Sequence, residues 1–238
     1  MINIVFDMDG VLFDTQKIYC RAWEEAAGVL GIPDIGEPLR RCIGMNRNDQ
    51  EAILGEFYSK DFPFDDFYRE KDLAFDRILS LRSRRDGKRL GEKDLAFDRI
   101  LSLGVPLMKG TREILEFLKK NGAKVAIASS SRVGMVEDNL KNTGLTGFFD
   151  KIVGGNLVTH SKPDPEIYLK ACELLGVKPE ETFAVEDSYN GIRAASAAGM
   201  KVIMVPDVQP PTEETDALIY GKFDSLLDFM NYLDKEEG

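Results

Sequence analysis

The chain has 238 residues, of which 43% are apolar, 9% aromatic and 30% charged, enough apolar material for one large domain or two small ones, which excludes a disordered or disulfide-stapled class. Its 41 acidic residues outnumber 31 basic ones for a formal net charge of −10, so the average surface repels a phosphate backbone and nucleic acid is not an expected partner. Cys20, Cys42 and Cys172 lack the paired spacing of a zinc site or a disulfide framework, and they read as buried or inert thiols in a reducing cytoplasm.

Residues 2–6, INIVF, form a short β-branched and aromatic run that closes on the polar cluster DMDG, the pattern of a buried parallel strand before its loop. No basic leader precedes it, and no apolar run approaches the roughly 18 residues of a membrane span. A soluble, cytoplasmic protein with no membrane partner is expected. A long stretch with 3.6-residue periodicity follows, including KIYCRAWEEAAGVLG and DQEAILGEFY, and predicts a helical domain inserted after the first strand. Within it EKDLAFDRILSL occurs at residues 70–81 and again, letter for letter, at 92–103, separated by RSRRDGKRLG. Such identity is not coincidence, yet two short copies are too few for a solenoid; the pair reads as a tandem duplication introduced by engineering. Gly87 and Gly91 argue against one unbroken helix through both copies. The expected apolar face is Leu73, Ile78 and Leu81 in the first copy and Leu95, Ile100 and Leu103 in the second. Helix continuity with DFPFDDFYR upstream gives the packing slot to the first. The basic stretch RSRRDGKR reads as a solvated loop or exposed helix face.

Further on, KVAIASS (124–130), FFDKIVG (148–154), ETFAVED (181–187) and KVIMVPD (201–207) alternate with helical patterns such as TREILEFLKKNG and PEIYLKACELLGV. Alternating strands and helices predict an α/β fold with a parallel sheet. Asp7 and Asp9 stand just after the first strand, where such folds bind ligands. Two carboxylates this close both stay ionised only beside a cation or a shared proton. Glu186 and Asp187 close the run TFAV and so belong at the same edge. Four converging acids make a hard, oxygen-rich site suited to Mg²⁺. Zinc is disfavoured, since His160 is the only histidine; it reads as an exposed loop residue.

FDMDGVLFDT (6–15), the IASSS stretch with Ser129, SKPDP with Lys162, and VEDSYNG with Glu186 and Asp187 resemble, in order and spacing, the four motifs of the haloacid dehalogenase superfamily. The GVLFDT continuation and the helical insertion are similar to its β-phosphoglucomutase and sugar-phosphate phosphatase branch. This resemblance implies a Rossmann-like α/β core over residues 1–14 and 106–238 and an α-helical cap over 15–105. It implies Asp7 as the nucleophile that becomes an aspartyl-phosphate, and Asp9 as the acid and base of the two half-reactions. Ser129 and Lys162 would then bind the phosphoryl group. Mg²⁺ would be held by Asp7, the main-chain carbonyl of Asp9, Asp187 and, directly or at one remove, Glu186. Ser130, Arg47 and either Lys71 or its duplicate Lys93 would bind the rest of a small phosphomonoester substrate, and only one of the two lysines can take that place. Asp14 and Thr15 read equally as a helix-start cap or a hinge, and Tyr189 and Asn190 as helix-entry residues.

A mutase must keep water from its aspartyl-phosphate, whereas a phosphatase needs that water. Tyr19 stands where the mutases carry a histidine, and Val133 where they carry a substrate-binding asparagine. Hydrolysis of a phosphorylated metabolite, a sugar phosphate first among them, is therefore favoured over phosphosugar isomerisation. A reading of another class makes the duplicated chain a conformational-switch scaffold built on such an enzyme. A monomer is expected.

Overall fold

A computed structural model describes residues 2–85 and 105–237 of the chain. Six parallel strands form one sheet in the order β3-β2-β1-β4-β5-β6: β1 (Asn3–Phe6), β2 (Lys124–Ser129), β3 (Lys151–Gly154), β4 (Phe183–Glu186), β5 (Lys201–Met204) and β6 (Gly221–Lys222). The five expected strands are present, each shorter than its apolar run. The two-residue β6 carries no run that would announce it.

Alternation along β1 explains why the sheet is covered on both sides. Ile4 and Phe6 pack with Ile127, Val185, Ile203 and Phe229 on one face, while Val5 packs with Ala126, Ala184, Ile167 and Tyr168 on the other. Helices supply both layers: α5 (Thr111–Lys120), α6 (Val133–Thr143), α7 (Glu166–Leu175), α8 (Tyr189–Ala197), α9 (Glu213–Leu218) and α10 (Leu226–Glu237).

Between β1 and α5 the described residues form α1 (Gln16–Leu30), α2 (Gly36–Cys42), α3 (Arg47–Tyr58) and α4 (Phe64–Arg85). They enclose an apolar cluster of their own around Trp23, Leu54, Phe62, Phe67 and Tyr68. Trp23 meets Phe67 edge-on with ring centroids 5.1 Å apart, a geometry the aromatic quadrupoles favour. The first repeat copy lies wholly inside α4. Its buried apolar side chains are Ala74 and Leu79, with Phe75 and Ile78 packed against the core, whereas Leu73 and Leu81 are more than half exposed. Of the expected face of Leu73, Ile78 and Leu81, Ile78 meets the core and Leu73 and Leu81 are corrected to the exposed side. Phe67 and Tyr68, docked beside Trp23, set the buried stripe, and a 3.6-residue period carries it through Lys71, Ala74, Phe75, Ile78 and Leu79. Helix α4 continues into the basic stretch as far as Arg85. The rest of that stretch, Gly87, Gly91 and the second copy with Lys93, Leu95, Ile100 and Leu103, lie outside the described residues.

All three cysteines are free, with Cys42 and Cys172 buried and Cys20 half-buried. Burial pushes their thiols up, to about 12 for Cys42 and about 11 for the other two, so they are poor nucleophiles. Among the described residues no helix is long and apolar enough to cross a membrane.

Candidate active site

Strand β1 is paired with β2 on one side and β4 on the other, so the chain reverses its winding there and leaves a crevice at the strands' carboxyl ends. Asp7 follows β1 directly, and its amide donates to the Val185 carbonyl at 3.0 Å. That bond places Asp7 beside Glu186 and Asp187 at the end of β4. One carboxylate oxygen from each of the three lies within 4.8 Å of the others.

Lys162, in the loop before α7, is buried among them. Its Nζ donates to Asp7 Oδ1 at 2.5 Å, Glu186 Oε1 at 2.6 Å and the Ala128 carbonyl at 3.2 Å, one acceptor for each ammonium proton. Burial alone would push the lysine down, but Asp7 and Glu186 outweigh it and hold it well above its ordinary value. For Asp7 burial dominates. Together with the charges of Glu186 and Asp9 it pushes the carboxyl up to about 7 against the pull of Lys162.

Glu186 is saturated. Its Oε1 accepts from Lys162 and from Tyr168 Oη at 2.5 Å, and its Oε2 from Ser188 Oγ at 3.0 Å and the amides of Asp187 and Ser188 at 3.2 and 3.3 Å. Asp187 is the opposite case: it is buried, and its Oδ2 has no hydrogen-bond partner. Burial, then Glu186, Asp7 and Asp207, push its carboxyl well above the usual range. Gly10, at φ +83°, lies so close that a Cβ there would sit 2.2 Å from Asp187 Oδ2. A buried carboxylate oxygen without a donor, beside Asp7, is what a hard divalent cation complements, so these residues fit Mg²⁺.

Asp9 points into the same crevice. Thr15 Oγ1 donates to its Oδ1 at 2.5 Å and Ser131 Oγ to its Oδ2 at 3.4 Å. Burial raises its carboxyl and the two hydroxyls partly offset the rise. Thr15 precedes α1 but makes no side-chain cap there, which settles its capping alternative: the hydroxyl serves Asp9. Ser129 ends β2 as a buried residue whose Oγ accepts from the Ser131 amide at 3.1 Å.

The substrate-binding expectations are placed less directly. Ser130 Oγ donates to the Gly44 carbonyl at 2.6 Å, so its hydroxyl contacts the helical insertion. Arg47 lies over the Tyr68 ring at 4.1 Å and pairs with Glu51 at 2.7 Å and Asp65 at 3.2 Å. Lys71 Nζ lies 5.1 Å from the Tyr19 ring and 5.2 Å from the Tyr68 ring, and pairs with Asp72 at 2.8 Å. Gln50 Oε1 accepts from both tyrosine hydroxyls, at 3.2 and 3.3 Å. His160 is exposed, and Val133 begins α6. A separate cavity of about 650 Å³, lined by Asn3, Lys124, Cys172 and Glu181 among others, opens at the amino ends of the strands, away from every carboxylate just described.

Sequence reasoning missed Tyr168 and the anchoring role of Asn190. Tyr168 sits within an apolar helical pattern where an aromatic residue is ordinary core, and nothing local marks its hydroxyl as a partner of Glu186. Asn190 Nδ2 donates to the carbonyls of Arg41 and Ile43 at 3.1 and 2.8 Å, a contact between segments far apart in sequence.

A family profile described as "haloacid dehalogenase-like hydrolase" matches residues 3–199. A phosphorylated carbohydrates phosphatase from Thermotoga maritima is 33% identical over 207 residues, covering 85% of this chain and 84% of that protein. The β-phosphoglucomutase of Bacillus subtilis is 29% identical, with coverage of 88% and 85%. Among solved structures, a hydrolase from Pseudomonas syringae superposes with a TM-score of 0.78 at 22% identity, covering 99% of each chain; at that identity it speaks to the fold alone.

Proposed function

We propose that this chain, which belongs to the haloacid dehalogenase-like hydrolases, is a Mg²⁺-dependent phosphatase of small phosphorylated carbohydrates that works through an aspartyl-phosphate on Asp7. The observation that carries the reading is the division of labour among the clustered acids: Asp7 held by Lys162, Asp9 held by two hydroxyls, and Asp187 with an oxygen to spare. Asp7 and Asp187 would hold the metal together with the Asp9 main-chain carbonyl, while Glu186, already saturated, stands behind them. When bound, Mg²⁺ supplies the positive charge that lets a carboxylate and a phosphate dianion approach each other.

In the first half-reaction an Asp7 carboxylate oxygen attacks phosphorus as the bond to the leaving alkoxide breaks. Asp9, whose carboxyl burial raises against the pull of Thr15, Ser131 and Lys162, gives a proton to that alkoxide. In the second, Asp9 takes a proton from the water that attacks the aspartyl-phosphate, releasing inorganic phosphate and restoring Asp7. Lys162 keeps fixed positive charge beside the nucleophile throughout. Thr15 and Ser131 orient Asp9 for both transfers.

Tyr19 and Val133, at the positions where a mutase would carry a histidine and an asparagine, support hydrolysis over isomerisation. The test is a product analysis. Given a hexose 1-phosphate, Mg²⁺ and a catalytic amount of the bisphosphate, the protein should liberate inorganic phosphate, and excess chelator should stop it. Accumulation of the 6-phosphate with little free phosphate would reverse the assignment, and full activity in chelator would remove the metal from it.

A further inference from the structure

Residues 40–49 of the helical insertion run from the end of α2 through a turn to the start of α3, and three loops and the start of α8, each beyond the carboxyl end of a different core strand, hold them. Ser130, next to Ser129, donates to the Gly44 carbonyl. Ser161, next to Lys162, donates to the Asp49 carboxylate. Gln209 donates from Nε2 to the Arg40 carbonyl at 3.3 Å and accepts from the Tyr189 amide at 2.7 Å. Asn190 alone spends both amide protons on the segment, one on Arg41 O and one on Ile43 O. Those carbonyls belong to the end of a helix, where the last acceptors have no intrahelical donor.

Asn190 is also wired to the acidic turn. It is the second residue of α8, whose N-cap Ser188 accepts from the Gly191 amide at 3.0 Å while donating to Glu186 Oε2. Gly44 comes so near this turn, at φ +80°, that a Cβ would lie 2.8 Å from Ser188 Oγ. Hydrogen bonds joined by the first turn of α8 thus run from Glu186 through Ser188 to the helical insertion.

The geometry points to Asn190 as a positioning residue that seats residues 41–44 against the turn carrying Glu186 and Asp187, making the seat of the insertion and the alignment of the acids one hydrogen-bonded arrangement. Both its acceptors are main-chain carbonyls, so the seat does not depend on which side chains occupy positions 41 and 43.

Asn190→Ala removes both donors. In the Mg²⁺-loaded protein, hydrogen exchange of amides in residues 36–49 should quicken by roughly ten- to a hundredfold, as expected for one buried and one partly buried acceptor left unpaired. Amides of β4 and α8 should stay within about twofold of the parent, and the Mg²⁺-induced rise in melting temperature should persist. The Mg²⁺ readout rests on the proposed metal site and the kinetic arm on the phosphatase reading: KM for p-nitrophenyl phosphate should rise several-fold, while the inhibition constant of inorganic phosphate, held by the core, stays within about twofold. Asn190→Asp, with the same shape and no amide donor, should repeat the exchange result and serves if the alanine variant folds poorly. Unchanged exchange at 36–49, acceleration spreading equally through β4 and α8, or faster exchange with an unchanged KM in an active enzyme would each overturn the assignment. A parent protein that hydrolyses nothing overturns the phosphatase reading instead, and the exchange arm still decides the role of Asn190.

Discussion

Asp187 holds a buried carboxylate oxygen that no donor satisfies, next to two other acids. Without metal such a group is a liability: its charge is opposed by burial and by like charges. Asp7 shares the effect, with a carboxyl pushed from 3.8 up to about 7. A carboxyl raised in the fold binds its proton more tightly there than in the unfolded chain, so its contribution to stability is full below pH about 4 and is lost as pH rises towards 7. Asp187→Asn in chelator should therefore melt higher than the parent at pH 7, by several degrees for about 1–3 kcal/mol, and the gap should shrink as pH falls to 4. The same variant should lose the Mg²⁺-induced rise in melting temperature, which thermal scans with and without metal measure directly. Asp7→Asn keeps the shape and removes the nucleophile. Its steady-state phosphate release should fall by about a thousandfold or more while its far-UV spectrum stays that of the parent.

At the scale of elements, α4 shows how a neighbour overrides a local pattern. Its leucines alone suggest a stripe through Leu73 and Leu81, but Phe67 and Tyr68 are already docked beside Trp23 and rotate the buried face on to Ala74 and Leu79. Leu79→Ala should cost about 2–5 kcal/mol and Leu73→Ala under about 0.5 kcal/mol, as read by denaturant midpoints at constant slope. Strands were easier to read, because both faces of a central parallel strand are buried and its sequence becomes an unbroken apolar run ending at the site. Asp7, Asp9, Lys162, Glu186 and Asp187 were legible for that reason: each stands just past such a run or inside a motif of distinctive spacing. Tyr168 and Asn190 were not. Their partners come from elsewhere in the chain, and a buried tyrosine or a helix-entry asparagine carries no mark of what it will touch.

On the scale of the whole molecule, the repeat poses a question that a single deletion addresses. Because the copies are identical, removing residues 82–103 or residues 70–91 yields the same shortened chain. Leu79 and Val105, one on either side of the excised stretch, belong to one core cluster. The shortened chain should therefore keep the fold and release phosphate at a rate comparable to the parent, whereas failure to fold would make the intervening residues an integral element. Trp23 offers a further means of following the molecule. It is the sole tryptophan in the chain, fully buried in the helical cluster with its indole nitrogen unpartnered, while the sheet and its flanking helices contain none. Intrinsic fluorescence excited at the red edge therefore comes from the helical insertion alone, with a blue-shifted emission set by its dry surroundings. Circular dichroism registers both parts of the molecule, so a mismatch between the two signals during unfolding would resolve the insertion's melting from that of the sheet, without any label.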